Sequence, residues 1–199
     1  FRGHDNVQGA TDVGPNPDSL PGYYGLAEGS WKHFAKAWDV DFEWIKKQYA
    51  PGMMGKPGMT VSRWIDGVME KNELIDQESN LRGLFFWGHA PNSQTRGLEM
   101  KRAMDKLDLL VVVDPFPSAT AAMAAMPGKA EDQNPNRAVY LLPASTQFET
   151  SGSCTASNRS LQWREKVIEP LWERRSDHMI MYQLAEKLGF GKELVKNYK

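Results

Sequence analysis

The chain has 199 residues, 41% of them hydrophobic and 25% charged, with a formal net charge of −1. That length supports one substantial domain or two small ones, and that balance belongs to a globular chain rather than a disordered one. The basic footprint needed to bind nucleic acid is missing, no apolar run reaches the ~20 residues of a membrane-crossing helix, and Cys154, the only cysteine, excludes an internal disulfide.

The first fourteen residues, FRGHDNVQGATDVG, hold a guanidinium, an imidazole, two carboxylates, two amides and three glycines. No helix or strand pattern accounts for that density. Glycine lets the backbone turn sharply or approach a ligand, and Arg2 offers a planar fork that matches a carboxylate or phosphate at two points. The alternative is a solvated loop. The chain opens on Phe1, not Met, and carries no signal-peptide pattern, so it is expected to be an internal piece of a longer protein.

Residues 15–29 read as a loop, with Pro15, Pro17, Pro21 and three glycines. Ser30 is a predicted N-cap ahead of Trp31, Phe34, Ala35 and Trp38 at helical spacing, and Phe42, Ile45 and Tyr49 form a second apolar set. Thr60 is predicted to cap an amphipathic helix with Val61, Trp64, Ile65, Val68 and Met69 on one face. These helices are expected to be an insertion packed over the polar opening.

From Leu81 the pattern changes. The runs at Leu84–Trp87, Leu109–Val113 and Val139–Leu142 alternate with helical patterns at about 93–106 and 118–126. Continuous apolar strands alternating with helices predict a parallel sheet covered on both faces. The expected fold is α/β: a three-layer, Rossmann-like parallel-sheet lobe with a helical insertion near the N-terminus. The expected divisions are 1–29 as an active-site and cofactor loop, 30–80 as the insertion and 81–199 as the nucleotide-binding lobe, all within one domain of a larger subunit. Ligands of such sheets sit beyond the carboxyl ends of the strands, here Gly88–Asn92, Asp114–Thr120 and Pro143 onward. The last of these runs into a second polar stretch at 149–159. A final helix is predicted with Ser176 or Asp177 at its cap, Ile180, Leu184 and Leu188 on one face, and Gly189 at its end.

There is no G-x-G-x-x-G or G-x-x-x-x-G-K-[ST], which argues against simple NAD binding and P-loop chemistry. No H-E-x-x-H or C-x-x-C pair supports a zinc site. His33 and His178 read as structural, whereas His4 and His89 lie in predicted ligand loops. Cys154 has no activating pattern and reads as a small packed side chain. Asp114, at a strand end, could accept from two N–H groups at once, as guanine presents, or serve as a turn residue before Pro115.

Three stretches together resemble the large subunit of molybdenum- or tungsten-dependent formate dehydrogenases. RGHDNVQGATDVG at 2–14 with LPGYY at 20–24 resembles the segment that crosses the active site. LDLLVVVDPFPSATA at 107–121 resembles a strand of the second nucleotide-binding lobe, and LPASTQFETSGSCTASNRSLQWR at 142–164 resembles the passage before the C-terminal cap. FFWGHAPNS at 85–93 resembles the family's Gly-x-Asn-Pro loop in shuffled order. The resemblance covers the chain in order, least closely at 30–75. The sheet segments alone also fit the wider molybdopterin oxidoreductase superfamily.

The resemblance implies a bis-(molybdopterin guanine dinucleotide) cofactor carrying Mo or W. It implies that Arg2 is the catalytic-site arginine holding formate, and that His4, Asn6, Gln8, Gly9 and Asp12 line the pterin and substrate channel. It implies that Gly88, Asn92, Asp114 and Thr120 hold a guanosine diphosphate arm, and that Thr155, Asn158, Arg159 and Gln162 lie near a pterin or the domain boundary. It places a [4Fe-4S] cluster, the Cys or selenocysteine metal ligand and the cap outside these residues, with no metal ligand among them. The chain alone is therefore expected to be inactive. The implied partners are formate, the remaining domains of the same subunit and an iron–sulfur electron-transfer subunit, with a membrane cytochrome subunit as a further candidate. NRSLQWR at 158–164 resembles exported enzymes, so a periplasmic location is expected, with cytoplasmic as the alternative. The alternative functions are a nitrate or sulfur-compound reductase of the same superfamily, or a binding or structural module without cofactor.

Overall fold

The computed structural model describes residues 4–16, 18–49, 54–55, 59–75, 79–89 and 96–195. The chain divides into two compact units, one of residues 1–60 and 152–164, the other of residues 61–151 and 165–199. The helical residues of 30–80 are shared between the two.

The second unit is built on a parallel sheet of β1 (Gly83–Trp87), β2 (Leu109–Asp114) and β3 (Ala138–Pro143), in the order β1-β2-β3. The register pairs Trp87 with Val113, Val113 with Leu142 and Asp114 with Pro143, so the three carboxyl ends lie level. The central strand, LLVVVD, is buried on both faces, as a run without alternation requires. The edge strands are half exposed, with Phe85 and Tyr140 accessible.

Two crossovers in the same direction share one hand, so their helices fall on one face of the sheet. Helices α6 (Gly97–Lys106) and α7 (Ala119–Ala125) do so, packing with α4 (Trp64–Met69) against Phe86, Leu110 and Val112. Met100, Ala103 and Met104 of α6 and Leu107 just past its end are fully buried, the stripe the spacing predicts. Each fully buried Leu or Met contributes about 1.5–3 kcal/mol by leaving water. The alanines of α7 let it lie close on β2. Arg96, ahead of α6, pairs with Asp66 of α4 at 2.7 Å and holds that carboxyl below its usual range, chiefly through the hydrogen bond.

On the opposite face, Val111, Val113 and Ala144 pack with Leu142 and with Ile180 of α8 (Asp177–Lys187). Three layers result, as expected. A groove of about 690 Å³ remains between α8 and the strands. Short helices α5 (Asn72–Ile75) and α9 (Gly191–Leu194) complete this unit. Ser176 stands at the N-cap of α8, and Gly189, with φ 88°, follows its end as predicted.

The first unit contains α1 (Val7–Val13), α2 (Glu28–Trp38), α3 (Phe42–Tyr49) and an antiparallel hairpin of β4 (Gly152–Thr155) and β5 (Leu161–Arg164). His33 stacks on Tyr24 with ring centroids 5.3 Å apart and meets Phe34 edge-on, in keeping with its structural reading.

Several local expectations are corrected. The polar opening is helical from Val7 to Val13, ended by Gly14 at φ 125°. Its helix is stabilised by tertiary packing, which an apolar-periodicity reading cannot register. The stretch at 149–159 contains strand β4, and the hairpin turns through Arg159 in the left-handed region, where the Arg159 N–H donates to the Ala156 carbonyl at 2.8 Å. Helix α2 starts two residues before Ser30, with Ala27 at its N-cap. The 60s helix starts only at Trp64, so Val61 lies in a turn and is exposed rather than on the buried face. The described helix before β2 begins at Gly97; residues 93–95 of its predicted span lie outside the described residues.

Candidate functional site

A cavity of about 400 Å³ opens beyond the carboxyl ends of β2 and β3. Its lining includes Asp114, Pro115, Phe116, Pro143, Trp172 and Arg174. The level register brings the ends of both strands to its floor. One wall comes from the chain that returns after β3. Ala144 pairs with Arg175 in a parallel bridge, and the Ser145 N–H donates to the Arg175 carbonyl at 2.8 Å. The turn closed by the Arg174 N–H to the Leu171 carbonyl, 3.2 Å, then carries Trp172 to the cavity rim.

Asp114 fulfils the turn reading and also lines the cavity. Its Oδ1 accepts from the Phe116 N–H at 2.9 Å, an Asx turn, while the carboxylate lines the cavity. An ionised carboxylate has about four acceptor positions, so one turn bond leaves capacity for a ligand.

Behind this wall lies Glu149, only 1% exposed. It ends a Thr-x-x-Glu capping box: its Oε2 accepts from the Thr146 N–H at 2.6 Å and the Thr146 hydroxyl at 2.9 Å, and its Oε1 from the Leu171 N–H at 2.8 Å. Arg174 Nη1 reaches both oxygens, at 3.2 and 3.3 Å, while Nη2 donates to the Pro115 carbonyl at 3.0 Å. The Thr146 backbone N–H above all lowers the Glu149 carboxyl to about 2; the Leu171 N–H, the Thr146 hydroxyl and Arg174 add to this against the opposing effect of burial. The Arg174 guanidinium lies 5.5 Å from the Phe116 ring and 6.0 Å from that of Trp172. Glu149 thus joins two segments, 146–149 and 171–174, and Arg174 extends that joint to the end of β2.

In the first unit, α1 meets the hairpin. The Thr155 N–H donates to Asn6 Oδ1 at 2.9 Å, and Asn6 takes the left-handed conformation, φ 59°. A Cβ at Gly9 would lie 2.3 Å from Asn6 Oδ1 and 2.9 Å from Thr155 Oγ1, so close approach of helix and strand accounts for this glycine. Gln8 is buried and donates to Asp12 Oδ1 at 2.8 Å and to the Tyr23 hydroxyl at 3.2 Å. Arg159 lies 3.6 Å from Asp12, an exposed pair of little energetic weight.

The predicted residues therefore fall into two groups. Asn6, Gln8, Gly9, Asp12, Thr155 and Arg159 gather in the first unit, with Asn158 in the hairpin turn, Gln162 opposite Cys154 and His4 exposed. Asp114 lines the cavity of the second unit. Gly88, at φ 56°, donates its N–H to the Val113 carbonyl at 2.8 Å, and Thr120 is fully buried; neither lines the cavity. Arg2 and Asn92 lie outside the described residues. Sequence reasoning placed Phe116 only within the Asp114–Thr120 loop and did not single out Glu149, Trp172 or Arg174. Only Glu149 had a signal, the Thr146-x-x-Glu149 spacing.

A parallel α/β unit with a cavity beyond the ends of its strands has the architecture in which ligands bind at that edge of the sheet. The family model of molybdopterin oxidoreductases matches residues 7–187, and the chain belongs to that family. It is 30% identical over 192 residues to the F420-dependent formate dehydrogenase subunit alpha of Methanocaldococcus jannaschii, covering 96% of this chain and 23% of that one. It is 30% identical over 195 residues to the probable oxidoreductase YjgC of Bacillus subtilis (96% and 16%), and 28% identical over 190 residues to a putative formate dehydrogenase of Staphylococcus haemolyticus (95% and 16%). The chain thus spans less than a quarter of the length of these relatives. Among solved structures, the acetylene hydratase of Pelobacter acetylenicus shares the fold with a TM-score of 0.51 at 17% identity, over 70% of this chain and 17% of that one.

Proposed function

We propose that this chain is part of a formate dehydrogenase catalytic subunit. Its second unit holds one guanine-nucleotide arm of a bis-(molybdopterin guanine dinucleotide) cofactor, and Arg2 holds formate. The observation that carries the reading is Asp114, a carboxylate with spare acceptor capacity in a cavity at the end of a buried central strand. Guanine presents two adjacent N–H donors on one edge, which a carboxylate matches with two acceptors. A cavity of about 400 Å³ lies in the usual range of small-ligand sites, and its aromatic and proline lining suits a flat base. The residues present therefore fit the nucleotide end of such a cofactor. Family membership and the formate dehydrogenases among the relatives support the rest.

Asp114 would accept from the base edge, and the cavity walls would exclude water from that pair. Arg2 would bind the two oxygens of formate through its fork and fix the direction of its C–H bond. When bound, the cofactor supplies the two-electron chemistry that takes formate to CO2.

The test is Arg2→Ala in the full-length protein with its metal cofactor retained. Formate turnover is expected to be lost, and unchanged turnover overturns the role of Arg2. Assays of the unaltered protein against formate, nitrate and thiosulfate distinguish a formate dehydrogenase from a nitrate or sulfur-compound reductase.

A further inference from the structure

Trp172 is the most exposed large apolar side chain in the described structure, at 91%, and it stands on the cavity rim beside Arg174. Its backbone has φ 52°, a conformation that a bulky residue adopts rarely and at a cost, and glycine freely. Its ring flanks the Arg174 guanidinium on the cavity rim, as does that of Phe116, itself 60% exposed. Arg174 is in turn fixed by the fully bonded Glu149 and by the Pro115 carbonyl. A buried carboxylate thus anchors a guanidinium beside an exposed aromatic ring that stands on a strained backbone. Core packing does not explain that arrangement, because the ring is hardly buried. Strained backbone of this kind persists where the surroundings over-determine it, and it concentrates at ligand clamps.

We propose that Trp172 is the stacking residue of this cavity: it lies against the flat face of a purine nucleotide, with Arg174 and Glu149 as the positioning residues that hold the ring there. The inference rests on the reading of the cavity as a nucleotide site and assigns its face-on contact, whereas Asp114 reads the edge. Stacking tolerates any base, because every base has a π-face, whereas recognition by Asp114 depends on guanine's donors. The two contributions therefore separate.

The experiment titrates GMP and AMP into the full-length protein freed of bound nucleotide, comparing the unaltered protein with Trp172→Gly, Trp172→Phe and Asp114→Asn, with melting temperatures measured alongside. Trp172→Gly is expected to weaken GMP and AMP alike by roughly 5- to 150-fold, with a melting temperature within about 4 °C of the unaltered protein because glycine accepts the positive φ. Trp172→Phe should restore most of the affinity. Asp114→Asn should weaken GMP and spare AMP. If Trp172→Gly binds both nucleotides within twofold of the unaltered protein, the stacking role is overturned. If it weakens both while Asp114→Asn changes nothing, stacking stands and the guanine reading fails. An unaltered protein that binds neither nucleotide overturns both.

Discussion

Replacing Arg174 with alanine removes the link between Glu149 and the end of β2, and the geometry sets the size of the loss. Breaking a buried ion pair commonly costs about 3–5 kcal/mol, because the surviving charge is left without partners. Here the surviving Glu149 keeps the Thr146 N–H, the Thr146 hydroxyl and the Leu171 N–H, all within 2.9 Å. The Arg174 contacts are longer, at 3.2 and 3.3 Å, than the ~2.7–2.9 Å of strong charge-assisted bonds. The loss should therefore be that of hydrogen bonds to a charged group, about 1.5–3 kcal/mol, which lowers the melting temperature of a chain this size by about 3–12 °C. Urea denaturation followed by circular dichroism measures it directly. A loss above about 4 kcal/mol would mean that Glu149 depends on Arg174 for its solvation, and one below about 0.5 kcal/mol that the pair does not persist in solution. Either result refutes the reasoning.

Two more predictions follow from the buried charges. Glu149, lowered to about 2 from an ordinary 4.5, contributes stability that is fully present above about pH 4.5 and is lost as pH falls toward 2. Urea midpoints across pH 2–6 should therefore fall more steeply for the unaltered protein than for Glu149→Gln, which starts lower and stays flatter; parallel curves would contradict this. At the other end of the sheet, Asp105 is fully buried and accepts from Lys101 and, at 2.6 Å, from Arg137, while a Cβ on Gly128 would come within 1.7 Å of its Oδ2. Asp105→Ala leaves two cations without their acceptor and should cost about 3–5 kcal/mol, and Asp105→Asn less; equal small losses would show that Lys101 and Arg137 swing out to water.

The sheet was legible because its chemistry is local. Leu109-Leu110-Val111-Val112-Val113 has no polar face, so it must be covered on both sides, and the helical spacing of Met100, Ala103, Met104 and Leu107 supplies one cover. The place of Asp114 at the strand end beside the cavity was legible for the same reason, since that position follows from the end of the apolar run. Helix α1 was not, because it has a glycine and a buried Gln8 where a periodicity reading expects apolar residues, and its support comes from Thr155 and Tyr23, far along the chain. Arg174 lies 25 residues from Glu149 and 59 from Pro115, and no spacing rule joins such positions.

By itself the sequence determined the α/β class, the residues at which the strands end and the two polar stretches, since side-chain periodicity and strand ends follow from neighbouring residues alone. The tertiary structure decided which of those polar groups face one another. Asn6, Gly9 and Thr155 meet through helix–strand packing, and Glu149, Arg174 and Trp172 through a chain that turns back beside β3. A buried polar group must find its partner wherever the fold brings one, and that choice is made across the fold rather than along the chain.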